Sequence, residues 1–289
     1  MARLRVALSR DSSSVDHRNR WILRAIGAGA RRVVTVIGLL LLIPAGWELI
    51  KFATGASNTT MPHVSDIVAH LRTTTSHGNT FAGFLFENAY VTFKASAVGL
   101  AIGAVTGLTT GVLIVRSRLV GKGLLPLVVA SQTVPIVAIA PALVLWLGTS
   151  WTTKVVIAGY LTYFPLTIAT ARGIQAVSND SLALMRTYSA TRREVLLKIQ
   201  LPAAMPMIFV GLETAAAFSV IGTIVGEMPV GSPKGLGLVI LTTWQYYNFQ
   251  PEALYGAALA ACALGGLMVG FVRVLGRVTL KDRRMGAVL

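Results

Sequence analysis

Charged residues and cysteine are both scarce in this chain. Of its 289 residues, 13% are charged and one is a cysteine. Soluble domains carry roughly 25% charge, and about half of that cannot cover a water-soluble surface of this size. Cys262 has no second cysteine with which to form a disulfide or share a metal ion. Acids are the scarcest charged groups, 11 against 26 Lys and Arg, which leaves a net charge of +15. Disorder is excluded as well, since 54% of the residues are hydrophobic and mean hydropathy is +0.68. A basic chain this apolar is an integral membrane protein with its positive charge gathered on one side.

Catalytic motifs are also missing. A phosphate-binding loop needs Gly-x4-Gly-Lys-Ser/Thr. The nearest approach is Gly121-Lys122, which is followed by Gly123 and has Arg116 where the first glycine belongs. There is no His-Glu-x-x-His helix and no Gly-x-Ser-x-Gly elbow. His63, His70 and His77 recur every seven residues, but seven helical residues rise about 10.5 Å, too far to share one ion through bonds of about 2 Å. The expectation is a protein with no catalytic residue, no metal and no cofactor of its own.

What the chain does contain is long apolar runs. Six are long enough to cross a hydrocarbon core of about 30 Å. They cover about 33–52, 89–115, 124–147, 154–174, 203–225 and 254–275. The first is too long for a signal-peptide core and has no small-x-small cleavage site, so it reads as a retained helix. Basic residues then fix the orientation. Lys51, Arg72, Lys94, Lys154 and Lys234 lie on one side of these runs, and the other 21 of 26 lie on the opposite side, eight of them before the first run. Positive loops stay cytoplasmic, so both termini are expected inside. The predicted architecture is all-α and polytopic, with six transmembrane helices over 33–275. A basic cytoplasmic arm (1–32) precedes them and a basic cytoplasmic tail (276–289) follows. In the outer loop after Pro62, Val64, Ile67, Val68 and Leu71 form one apolar stripe, which predicts a short surface helix.

Several residues inside the runs stand out. Gly99, Gly103, Gly107 and Gly111 recur every fourth position, a face on which another helix can approach closely. Ser131-Gln132-Thr133-Val134-Pro135, with Pro141 beyond, puts polar groups and missing N–H donors at membrane depth. Such a segment is tolerated only against protein or a wet cavity, so it is either a kinked structural helix or a lining of the translocation path. Glu213 lies within the fifth run and Glu227 just beyond its outer end. Intramembrane acids mark function by default; a buried backbone donor or basic side chain is the alternative for each.

The long inside segment 178–202 is the most informative. Ser178-Asn179-Asp180-Ser181 offers helix-cap chemistry, and Leu182, Met185 and Tyr188 follow at helical spacing. After Ser189-Ala190, Thr191 and Glu194 make a capping box that starts a second helix, which Leu201-Pro202 should stop. Two short helices at a corner, carrying apolar knobs outside the membrane, are expected to dock into a partner.

This segment resembles the coupling loop of permease subunits from binding-protein-dependent ABC importers, whose pattern is Glu-Ala-Ala, three residues, Gly, about nine residues, then Ile-x-Leu-Pro. Ile199-Gln200-Leu201-Pro202 matches the end, Ala183-Leu184-Met185 stands where the triplet belongs, and Ser189 where the glycine does. Other similarities run from about residue 33 to 275: Val134-Pro135 through Pro141, Trp146-Leu147-Gly148, Lys154, Gly226-Glu227 leading to Gly235-Leu236-Gly237, and Pro62 with Asp66. They are similar to the nitrate/sulfonate/taurine-type branch, which also includes permeases resembling pyrimidine and riboflavin importers.

The resemblance implies a type I importer permease in the bacterial inner membrane. It implies a homodimer with two ABC ATPase subunits that bind ATP and Mg²⁺, and an extracytoplasmic solute-binding protein. Leu182, Ala183, Leu184, Met185, Tyr188, Ser189, Ala190, Leu201 and Pro202 would couple to the ATPase. Ser131, Gln132, Thr133, Pro135, Glu213 and Glu227 would line the path of a small anionic or heterocyclic solute. A self-sufficient secondary transporter or channel is the rival reading. Nucleic-acid binding by the N-terminal arginines is a third, but topology and anionic lipid account for those residues.

Overall fold

The computed structural model describes residues 38, 41–75, 78–228 and 234–286. The basic arm expected over 1–32, the start of the first run, and His77 lie outside them. The chain divides into two compact units, Met1–Ser65 and Asp66–Leu289. In the first, helix α1 is described over residues 41–54 and is followed by a folded-back loop. The Trp47 indole N–H donates to the Pro62 carbonyl (2.9 Å), and Lys51 Nζ donates to Asn58 Oδ1 (2.6 Å). Glu48 accepts from the Val64 N–H (2.7 Å) and pairs with His63 Nδ1 (2.8 Å).

The second unit is also entirely helical among its described residues, apart from one isolated bridge between Thr74 and Thr80. Helix α2 (Val64–His70) is the short helix predicted from the apolar stripe, with Ile67 buried. Three long helices form the centre: α3 (Phe81–Arg116), α6 (Trp151–Gln175) and α9 (Leu201–Glu227). Helix α11 (Pro251–Gly286) packs outside them, and the short α10 (Leu236–Gln245) lies between α9 and α11. Helices extend past the apolar runs because caps, not hydropathy, end them. Helix α3 starts at Phe81 because the Thr80 side chain accepts from the Gly83 N–H (3.2 Å).

Small residues set the spacing of the centre. Gly99, Gly103, Gly107 and Gly111 of α3 all face α6. A methyl group on Gly111 would stand 2.6 Å from Thr170 Cβ, and one on Gly107 2.8 Å from the Tyr163 carbonyl oxygen. On an adjoining face of α6, α9 does the same: Gly211 meets Ala169, Gly222 meets Ala158, and Ala204 of α9 meets Gly173. Helix α6 is therefore approached closely by glycine-bearing faces of both α3 and α9, which also touch each other. The α9 glycines were not singled out in the sequence because they are spaced irregularly.

Two expectations are corrected. The third run is not one kinked helix over 124–147. Helix α4 (Arg118–Thr133) and helix α5 (Ile136–Leu147) meet at 96°. Val134 precedes a proline, which pushes it into extended backbone (φ −78°, ψ 118°) and breaks the helix instead of bending it. Likewise, Leu201-Pro202 does not stop the second inside helix. Helix α8 (Arg192–Val195) runs through a π-helical segment (Leu196–Gln200) directly into α9. There the Leu201 N–H reaches back five residues to the Leu196 carbonyl. The extra residue in that turn takes up the register disrupted by Pro202 and its missing donor. Among the described residues, four helices are long and apolar enough to cross a membrane, and a fifth if α4 and α5 count as one broken span.

Candidate functional site

The elbow between α6 and α9 is built from tight local caps. Helix α7 (Asn179–Thr187) starts where the Ser178 side chain accepts from the Ser181 N–H (3.3 Å). It ends in a two-bond C-terminal motif: the Ser189 N–H donates to the Arg186 carbonyl (2.9 Å), and the Ala190 N–H to the Met185 carbonyl (3.0 Å). This closure needs a left-handed residue, and Ser189 supplies it at φ 51°, the only non-glycine residue with positive φ among the described residues. That backbone demand explains why the resembled pattern has glycine at this place.

Thr191 then opens α8 with the predicted capping box. The Glu194 carboxylate accepts from the Thr191 N–H (2.9 Å), the Thr191 hydroxyl (2.9 Å) and Lys198 Nζ (2.9 Å). Lys198, followed by the Thr191 donors, lowers the Glu194 pKa to about 2. Leu196, Leu201 and Met205 root the base of the elbow in a cluster with Leu166, Ile174, Ala204 and Ile208.

No residue of α7 is buried. Leu182, Met185 and Ala190 are half-buried, and so are Leu201 and Pro202 at the base. The projecting apolar groups are Leu184, 55% exposed, and Tyr188, 76% exposed, with Ala183 and Ser189 beside them. Of the stripe read from spacing (Leu182, Met185 and Tyr188), only Tyr188 therefore points fully outward.

At the α4–α5 break, the Tyr160 hydroxyl donates to the Ser131 carbonyl (2.5 Å). The Ser131 and Thr133 hydroxyls return to Val128 and Ala130 carbonyls in their own helix, both at 2.8 Å. Gln132, Thr133 and Pro135 are exposed. Along the same two helices, Leu127, Val137, Leu145 and Trp146 are also uncovered.

The two acids lie in different surroundings. Glu213 sits partly exposed on α9, where its Oε2 accepts from Arg273 Nη2 (2.8 Å) and Nε (3.1 Å) of α11. Glu227 is fully buried. Lys154 Nζ, itself buried, lies 3.5 Å from its Oε1 and donates to the Lys234 carbonyl (2.6 Å). The Gly237 N–H donates to Glu227 Oε2 (2.9 Å). The Thr92 hydroxyl stands 3.0 and 2.9 Å from the two carboxylate oxygens and accepts from the Leu236 N–H (2.9 Å). Asn88 Oδ1 accepts from the Gly235 N–H (2.8 Å), and Ser96 bonds Thr223 (2.9 Å). Asn88, Thr92 and Ser96 were not singled out in the sequence. Their signal was there, as polar residues at intervals of four leading into the glycine face of α3.

Comparison with known proteins accords with this arrangement. Residues 99–280 match the family described as binding-protein-dependent transport system inner membrane component. The chain is 34% identical to a probable ABC transporter permease of Haemophilus influenzae over 206 residues, 71% of this chain and 80% of that one. It is 36% identical to the formylaminopyrimidine transport permease ThiX of Halalkalibacterium halodurans over 199 residues, 69% of this chain and 78% of that one. Other relatives include permeases named for aliphatic sulfonates, riboflavin, nitrate and bicarbonate. The fold matches a chain of the MetNI methionine ABC transporter in an inward-facing conformation. That match has a TM-score of 0.56 at 18% identity and covers 68% of this chain and 97% of the other. Several apolar helices, a capped elbow and these matches together place the chain in the binding-protein-dependent transport system inner membrane component family, as an ABC transporter permease of the inner membrane.

Proposed function

We propose that this permease is the membrane subunit of an ATP-driven importer and that the α7–α8 elbow is its coupling element. The observation that carries the reading is the exposure of Leu184 and Tyr188 on a corner held rigid by a cap at each end. Exposed apolar knobs on an ordered corner fit a pocket on another protein. Two cytoplasmic ATPase subunits take that place, and they bind the ATP and Mg²⁺. The orientation is six spans with both termini cytoplasmic, the start of the first span lying outside the described residues. A second copy covers the bare face of α4 and α5, and the break at Ser131–Pro135 lies beside the solute path between the two copies. An extracytoplasmic binding protein delivers the solute. Sulfonate, nitrate and bicarbonate relatives suggest a small anion, whereas formylaminopyrimidine and riboflavin relatives suggest a heterocycle. The basic arm anchors topology on anionic lipid and needs no nucleic acid.

Replacing Leu184 or Tyr188 with Asp buries an uncompensated charge in that contact. ATPase subunits co-purified in detergent should fall at least about tenfold, as expected for loss of a central interface anchor. Undiminished co-purification of both variants overturns the docking assignment.

A further inference from the structure

The two helices that leave the elbow meet again at its far end. Helix α6 runs into α7 at its C-terminal end, and helix α9 grows out of α8 through the π turn. Each is about 37–40 Å long, from 25 and 27 residues. Along that length they pack closely at Gly173–Ala204, Ala169–Gly211 and Ala158–Gly222, where a methyl group added to the glycine would collide with the other helix. Their far ends carry Lys154 and Glu227, the buried pair.

This pair does more than join α6 to α9. The start of α10 presents three successive N–H groups, and each is held by another element of the centre. Gly235 is bound by Asn88 and Leu236 by Thr92, both of α3, and Gly237 by Glu227 of α9. Lys154 of α6 grips the Lys234 carbonyl just before them. Glycine is required at the contact, because a methyl group on Gly237 would stand 2.2 Å from the Ile224 carbonyl oxygen and 2.7 Å from Glu227 Cβ. Plain packing would not need charge here. Desolvating an ion pair offsets much of its attraction, and apolar residues of similar size hold a helix at least as well. What a buried, hydrogen-bonded pair can supply is a single register between elements.

Beyond its held end, α10 reaches a cavity of about 660 Å³ lined by Thr242, Thr243 and Tyr246 and, across it, by His70, Thr73 and Gln250. The geometry points to a transmission role. The Lys154–Glu227 node makes α10 a rigid extension of both arms of the elbow, so that displacement at the elbow is delivered to the wall of this cavity at the opposite end. Glu227, Lys154 and Thr92 are thus positioning residues acting through α10. This inference rests on the proposed function for the motion it transmits.

The test is hydrogen exchange of the permease co-purified with its ATPase subunits in nanodiscs, comparing ADP with ATP, Mg²⁺ and vanadate. In the unmodified chain, amides of both the elbow (178–200) and α10 (236–245) should change exchange rate between the two states, α10 by about tenfold. In Glu227→Gln and Lys154→Met, the elbow should keep its response while that of α10 falls below about twofold. A purely structural role would dull both segments together. If the elbow responds and α10 does not in the unmodified chain, or α10 responds equally in the variants, the transmission role is overturned. An elbow that never responds overturns the proposed function instead. If the single variants do not assemble, the neutral Lys154→Met/Glu227→Gln pair takes their place, with the α10 response again expected to vanish. A persisting response there, or failure of that pair to assemble, assigns the node to folding and sinks the inference.

Discussion

Single residues in this permease follow local rules, and departures from those rules show where the chain bears cost. Ser189 is the clearest case. Its left-handed backbone completes the cap of α7, and a side chain in that conformation is disfavoured by about 1–2 kcal/mol relative to glycine. Glycine recovers part of this, less the entropy its freer unfolded chain loses. Ser189→Gly should therefore raise thermal stability by up to about 1 kcal/mol, read as a higher melting temperature in detergent. A lower melting temperature would mean that the serine hydroxyl, not the backbone, matters here. The same scale explains the acids. Glu213 and Glu227 look alike in sequence, yet one shares a half-exposed ion pair with Arg273 and the other is sealed among donors from α6, α3 and the start of α10. Only neighbours distant in sequence could separate them.

Among the elements, proximity is governed by what side chains leave out. The spacing of Gly99, Gly103, Gly107 and Gly111 predicted a packing face, and all four glycines lie against α6. Gly103→Val would drive two methyl groups into the Gly159 carbonyl and Thr162, since even one added carbon stands 2.7 Å from that oxygen. Neither partner is the end of a flexible chain, so α3 and α6 must separate. Overpacking of this kind costs about 1–3 kcal/mol or more, and the yield of folded permease on size-exclusion chromatography should drop accordingly. Normal yield and melting temperature would show that α3 can shift without loss. Prolines act the opposite way in two places. Pro135 biases Val134 toward the extended backbone at which α4 ends, while Pro202 is absorbed by a π turn. Proline by itself marks a disturbed register; whether the chain breaks or takes up the slack depends on what supports it. Val134 and Pro135 are exposed, whereas Leu196 and Leu201 pack on a formed core.

At the scale of the whole molecule, the chain has the permease's helices and elbow but no nucleotide-binding loop of its own. Reconstituted alone in liposomes, it should pass no solute, whether given sulfonate, nitrate or riboflavin, and ATP-dependent uptake should appear only when ATPase subunits and a binding protein are added. Flux through the chain alone would restore the secondary-transporter reading. Composition, charge asymmetry and run length already established a helical membrane protein, because hydrocarbon imposes its demands residue by residue. Caps were legible for the same reason: Ser178, Thr191 and Glu194 act within a few residues of themselves. The 96° break, the continuous passage through Pro202, the outward turn of Leu184 and the gathering of Asn88, Thr92, Lys154 and Glu227 around α10 were decided only by the tertiary structure. The last of these joins residues up to 147 positions apart, and a periodicity along the chain records which face a residue occupies, not what stands opposite it.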